Sequence, residues 1–157
     1  VEQLGKISKV GYEQDFEVIQ GERAIRQFEM EFVNQTTEAS EEYILGGHTD
    51  GFSQLMGKEL LDEYLEIKKK KKIRVKYIGN ENERSLYEKY IGKFPNQEYR
   101  FMKRLPQGVT HMVIRDTSVS FYSFLTPPLI YVIKSKVVAE NYKQFFLMLW
   151  DIAGENK

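Results

Sequence analysis

The stretch Gly46-Gly47-His48-Thr49-Asp50-Gly51 sets a histidine, a threonine and an acid among three glycines, just ahead of a segment with helical apolar spacing. Free backbone amides at a helix N-terminus attract anions, so this loop is expected either to touch a ligand or to serve as a plain connection. A second histidine, His111, sits in a β-prone run five residues before Asp116. His111 reads either as a ligand contact or as an ordinary strand histidine, and Asp116 as the first residue of a hairpin turn. His48, Asp50 and His111 lack any recognised ligand spacing, so no metal is expected, and no other cofactor. No serine stands in a nucleophile-elbow context, and neither a phosphate loop nor a dinucleotide fingerprint is present. The lysines at 68–72 could attract phosphate. They fall at the predicted C-terminus of a helix, where cations complement the dipole, and a solvated face is the expectation. Tyr99, Phe101, Phe121, Tyr122 and Phe124 could line a sugar or apolar pocket, although aromatics at strand spacing more often build a core.

These residues need elements to position them. Residues 16–19 form a β-prone run that stops at Gln20-Gly21, and Ala24, Ile25, Phe28 and Phe32 then share one helical face. Residues 42–45 repeat the pattern before the glycine-rich loop, and the apolar spacing over 52–67 predicts one helix ending in the lysines. A third strand at 73–78, a shorter helix around Leu86 to Ile91 and a fourth strand at 99–102 follow. Strands alternating with helices predict βαβ units and a mixed, mostly parallel sheet flanked by helices. In such sheets ligands sit beyond the C-terminal strand ends. Gln20, Gly21, Glu22, His48, Thr49 and Asp50 are therefore expected to converge on one pocket if the first two strands are parallel near neighbours.

The C-terminal third is the most strongly patterned part. Runs at 111–116, 119–124 and 129–134 are short strands separated by Asp116-Thr117 and Thr126-Pro127-Pro128. From Ser135, the residues Val138, Tyr142, Phe145, Phe146, Leu149, Trp150 and Ala153 recur at helical steps and predict one greasy helix face. Ser135 is placed to cap its start and Gly154 to end it in a left-handed conformation. Phe121, Tyr122, Phe124 and Leu125 put apolar side chains on both faces of a strand, which predicts either an uncovered face and self-association or a strand covered on both faces. In the second case the terminal helix covers one face and an earlier helix the other, leaving a monomer whose dimerisation depends on the upstream linker.

With 157 residues, 41% hydrophobic and 13% aromatic, the chain fits one domain with a core of its own. It has no cysteine and no apolar run of membrane-spanning length, so a cytoplasmic protein without membrane contact is expected. Basic and acidic residues number 23 each, so the surplus of positive charge usual in phosphate-neutralising proteins is missing. These residues alone are not expected to bind duplex DNA.

The segments FEVIQGERAIRQF, LLDEYLEIKKKKKIRVKYI, EYRFMKRLP, HMVIRDTSVSFYSF and IYVIKSKVVAENYKQFFLMLWDIA together resemble the C-terminal effector domain of TrmB-type transcriptional regulators. The resemblance covers nearly everything from Asp15, leaving 1–14 as a remnant of an upstream linker and 15–157 as the domain. It implies a phospholipase D-like fold, a small-molecule, sugar-like effector, a homodimer, and DNA contact only through an absent N-terminal winged helix-turn-helix. Phospholipase D enzymes use a His-x-Lys-x-x-x-x-Asp motif with the histidine as nucleophile. Matching Asp116 to that aspartate sets Val109 at the histidine and His111 at the lysine. The resemblance therefore implies a catalytically inactive domain that senses a ligand and dimerises. A divergent phosphodiesterase using His111 or His48, and an interaction module without a ligand, are the competing readings.

Overall fold

The computed structural model describes residues 14–46, 50–89, 94–106, 108 and 110–155. Among the described residues there are seven strands: β1 (Asp15–Gln20), β2 (Glu41–Leu45), β3 (Arg74–Asn80), β4 (Gln97–Met102), β5 (Thr110–Arg115), β6 (Ser118–Ser123) and β7 (Leu129–Lys134). Five helices accompany them: α1 (Glu22–Gln35), α2 (Gly51–Met56), α3 (Lys58–Lys70), α4 (Arg84–Glu88) and α5 (Lys136–Glu155).

The strands form one sheet in the order β1-β7-β6-β5-β2-β3-β4. Only β2–β3 and β3–β4 pair in parallel; the other four pairings are antiparallel. The expectation of a mostly parallel sheet is therefore corrected to a mixed, mostly antiparallel one. The alternation of strands and helices is real, but β1 does not pair with β2. The β5–β6–β7 meander inserts between them, joined by the two-residue Asp116-Thr117 turn and by register-matched apolar positions such as Ile114 opposite Val119 and Tyr122 opposite Ile130.

Alternation along each strand sorts side chains into two layers. On one face Ile19, Val113, Tyr122, Ile130 and Val132 pack against Ile25 and Val33 of α1, Leu55 and Met56 of α2, and Tyr64 and Leu65 of α3. On the other, Tyr43, Ile78, Ile114 and Val119 pack against Ala139, Phe146 and Trp150 of α5. The single helix predicted over 52–67 is two, because Gly57 adopts φ 73° and lets the chain change direction between α2 and α3.

Helix α5 begins as its sequence predicts, with the Val138 amide donating to Ser135 Oγ at 3.3 Å. Gly154 lies within the helix rather than ending it, and a Cβ there would come within 2.4 Å of Arg100 Nη1. That guanidinium donates to the Trp150 carbonyl at 2.6 Å and lies 4.3 Å over the indole ring. The single greasy face is also corrected. Phe146 and Trp150 are buried as expected, but Phe145 is exposed. Strand β6, predicted to have an uncovered face, is internal to the sheet, with Tyr122 buried under the α1–α3 layer and Val119 under α5.

Candidate functional site

Four charged residues lie at core positions of the α1–α3 layer. Glu29 occupies the stripe Ile25–Glu29–Val33 on α1, Glu42 the inward face of β2, Lys68 the last turn of α3 and Arg115 the end of β5, all buried. Lys68 Nζ donates to Glu42 Oε2 at 2.7 Å, Arg115 Nη2 donates to Glu29 Oε2 at 3.1 Å, and Arg115 Nε lies 3.5 Å from Glu42 Oε1. The hydroxyl of Tyr64 donates to Glu29 at 3.3 Å and that of Tyr122 donates to the other Glu29 oxygen. The Arg115 guanidinium lies 4.0 Å over the Phe32 ring. Buried ions are tolerated only when paired and hydrogen-bonded, and here two carboxylates meet two cations. The expectation that the lysine run is a solvated face is corrected for Lys68, and Lys71 donates to the carbonyls of Asn34 and Thr36 at the end of α1.

Burial pushes the Tyr64 and Tyr122 phenols far above their ordinary range, and the neighbouring carboxylates push them further, so both remain hydrogen-bond donors. Burial also raises the Glu42 carboxyl, but the Lys68 ammonium and the Arg115 guanidinium outweigh it and hold the group below its ordinary 4.5. A carboxyl depressed in the folded state stabilises the fold above its unfolded value, and that contribution disappears as pH falls through the folded value. Urea midpoints measured on acidification below 4.5 are therefore expected to fall, and less steeply for Glu42→Gln. Equal slopes for the two proteins would show that Glu42 does not carry this effect.

Glu42, Lys68 and Arg115 of this network form the floor of a cavity of about 70 Å³ between α2, α3 and the sheet, with Glu29 behind Arg115 outside its lining. Its walls are aromatic: Phe52, Tyr64, Tyr77, Tyr87, Phe94, Tyr99 and Tyr122, with Ser53, Gln97 and His111 as further polar groups. Tyr77, Tyr87 and Tyr99 contact one another with ring centroids 4.8 to 5.7 Å apart. This cluster needs Gly46, where a Cβ would fall 1.9 Å from the Tyr77 hydroxyl. Ser53 and Phe94 also line a cleft of about 610 Å³ beside α3. They are the wall shared by the inner cavity and the outer cleft.

Among the described residues of the predicted site, His111 lines this cavity, its ring 4.7 Å from Tyr122 and 4.8 Å from Phe124. His48 and Thr49 lie outside the described residues, as does Val109. Asp50 precedes α2, where its carbonyl accepts from the Gln54 amide at 2.9 Å. Gln20 ends β1, the Gly21 amide donates to the Pro128 carbonyl at 2.9 Å, and Glu22 opens α1, paired with Arg26. Strands β1 and β2 do run in the same direction, but three strands separate them, so the near-neighbour premise that joined residues 20–22 to 48–50 fails.

The charged floor was missed by sequence reasoning although its signal was present. Glu29 stands midway between Ile25 and Val33 on an apolar stripe, Glu42 shares an inward face with Ile44, and Lys68 is one helical turn from Tyr64. A charged residue at a core position of the period marks a buried partner.

This mixed sheet, with α1, α2 and α3 on one face and the long α5 on the other, defines the fold class of the described residues. Solved structures share it. The chain has a TM-score of 0.59 to TrmBL2, an archaeal chromatin protein described as showing a novel mode of DNA binding, at 18% identity, covering 92% of this chain and 53% of that one. It has the same TM-score to NucT from Helicobacter pylori, at 11% identity, covering 88% of this chain and 97% of that one. The chain thus spans about half of TrmBL2. No family model matches it, and no curated protein does. Among the described residues, no helix is long and apolar enough to cross a membrane, and no group of three or more His, Cys, Asp or Glu could hold a metal ion.

Proposed function

We propose that this chain is the ligand-sensing domain of a TrmB-like transcriptional regulator, of phospholipase D-like type and without catalytic activity, whose DNA contact belongs to a winged helix outside these residues. The ligand is a small, neutral, polar molecule of sugar-like chemistry held in the tyrosine-walled cavity. The observation that carries this reading is the charge balance at the floor. Lys68 and Arg115 are each paired with Glu42 or Glu29, so the site holds ionic groups without the surplus of positive charge that a phosphate needs. Tyrosines and His111 offer flat apolar faces edged with hydrogen-bonding groups, the combination that a ring bearing hydroxyls fits. The likeness to TrmBL2 supports the regulator, and Val109 at the histidine position of the phospholipase D motif supports the lack of turnover.

The cavity's 70 Å³ is less than half the ~150 Å³ that accommodates benzene in an engineered protein. Entry of a sugar ring therefore requires the Phe94 side chain to swing and join the cavity to the outer cleft. Such coupling between ligand entry and wall movement is what a sensor needs.

A thermal-unfolding screen of neutral sugars and polyols tests the reading. A ligand at a hundredfold excess over its dissociation constant adds about 2.7 kcal/mol, which raises the midpoint of a domain of this size by roughly 5 to 10 °C. His111→Phe keeps the ring packing and deletes the polar nitrogens, so it is expected to lose more than half of that shift. A screen without a shift, or a shift unaltered by His111→Phe, contradicts the assignment.

A further inference from the structure

Beyond the buried charges lies a second space. A cleft of about 330 Å³ opens at the end of the sheet where β2 begins and β5 ends, beside the end of α1. Among the described residues, Glu42 and Arg115 line both this cleft and the tyrosine-walled cavity. Arg115 is 5% exposed, and its three guanidinium nitrogens all carry donors. Nη2 donates to Glu29 and Nε faces Glu42, whereas Nη1, itself buried, has no hydrogen-bond partner among the described residues. The guanidinium stacks 4.0 Å over Phe32, a wall of the cleft and not of the cavity, which sets the unused donor at the cleft's inner end. Ser40 Oγ, buried in the same lining, has no partner among the described residues either. Buried polar groups are nearly always paired, so two unpaired ones around one cleft mark a place that receives a hydrogen-bond acceptor.

The other charges of the lining select the occupant. Glu41 is engaged by Arg74 at 2.9 Å and by the Tyr43 hydroxyl, and Glu42 by Lys68. Asp116, exposed at the rim, forms no ion pair among the described residues. A simple anion that reached Arg115 would be opposed by Asp116, and a simple cation drawn to Asp116 would leave Nη1 with nothing to donate to. A molecule carrying both charges answers both groups. We propose that this cleft binds a free α-amino acid with a neutral polar side chain. Its carboxylate accepts from Arg115 Nη1 and Ser40 Oγ at the inner end, and its ammonium lies against Asp116 at the rim. The hydroxyls of Thr37 and Thr117 and the amide of Gln35, in the same lining, suit a polar side chain.

Titration of the whole chain, followed by the amide resonances in proton–nitrogen NMR spectra, tests the proposal with L-serine, L-asparagine and L-glutamine as probes. At least one is expected to bind saturably in the micromolar to low-millimolar range and to shift the resonances of Ser40, Glu42, Asp116 and Thr117. Propionate and ethylammonium each carry one of the two charges, and each is expected to bind about tenfold more weakly or worse. Asp116→Asn keeps a turn-forming residue, removes the charge and is expected to weaken amino-acid binding about 10-fold. Ser40→Ala is expected to weaken it about 3- to 10-fold without lowering the thermal midpoint, since the hydroxyl has no partner to lose. Absence of a saturable shift with all three amino acids overturns the proposal, as does binding that either substitution leaves unaltered. Propionate bound as tightly as the amino acids overturns the role of the ammonium. The outcome is independent of the sugar screen, because neither Ser40 nor Asp116 lines the tyrosine-walled cavity.

Discussion

Replacing Arg115 by methionine is expected to cost about 3 to 5 kcal/mol of stability, a large part of what a domain of this size has. The guanidinium is 5% exposed and serves Glu29 and Glu42 together. Without it, Glu29 keeps only the two tyrosine hydroxyls and Lys68 is left to balance two buried carboxylates, so the loss is chiefly an uncompensated charge in a medium that solvates it poorly. The control separates charge from packing. Removing Glu42 and Lys68 together, as Glu42→Leu with Lys68→Met, leaves the Glu29–Arg115 pair balanced, and is expected to cost less than either single replacement. Urea unfolding at neutral pH measures all four proteins. A loss below 1 kcal/mol for Arg115→Met would mean that water reaches the network and that the floor of the cavity is not dry.

Phe146→Ala is expected to cost about 3 to 5 kcal/mol on the opposite face of the sheet. The Phe146 ring is 1% exposed, meets Tyr43 edge-on at 5.3 Å and stacks on Trp150 at 5.9 Å. Truncation leaves a void between β2 and α5, and Trp150 cannot collapse into it freely because Arg100 and Lys76 lie over its other surfaces. Phe145→Ala, one position away and 56% exposed, is expected to change the stability of the folded monomer by less than 1 kcal/mol. Comparable losses at the two positions would mean that the rotation of α5 on the sheet differs from that described.

The neighbouring phenylalanines show how far the sequence could be read. Helical steps of three and four place both 145 and 146 on a broad apolar arc, and the pattern cannot tell a face buried by the sheet from one open to another partner. The strands from Glu41 onward were legible for a related reason, since alternation such as Glu42 and Ile44 against Tyr43 and Leu45 fixes which residues share a face. It does not fix which strand lies alongside. The pairing of β1 with β7 joins residues more than a hundred positions apart through complementary edges such as Val18 opposite Tyr131, and no local signal in FEVIQ announces that neighbour. The residues expected at the site divide accordingly: His111 on β5 lines the tyrosine-walled cavity, whereas residues 20–22 were assigned by a topology that the β5–β7 meander interrupts. The buried Glu29, Glu42, Lys68 and Arg115 each stand where the period requires an apolar residue, and only the pairing across α1, β2, α3 and β5 shows that their charges face one another rather than solvent.

The ligand-binding claim is tested most directly by diffraction from crystals grown with the sugar or polyol that gives the largest thermal shift. The ligand is expected between Tyr64, Tyr99 and Tyr122, with His111 in hydrogen-bonding range and the Phe94 ring displaced toward the outer cleft. Ligand density anywhere else, with the ring of Phe94 still closing the cavity, would contradict the account.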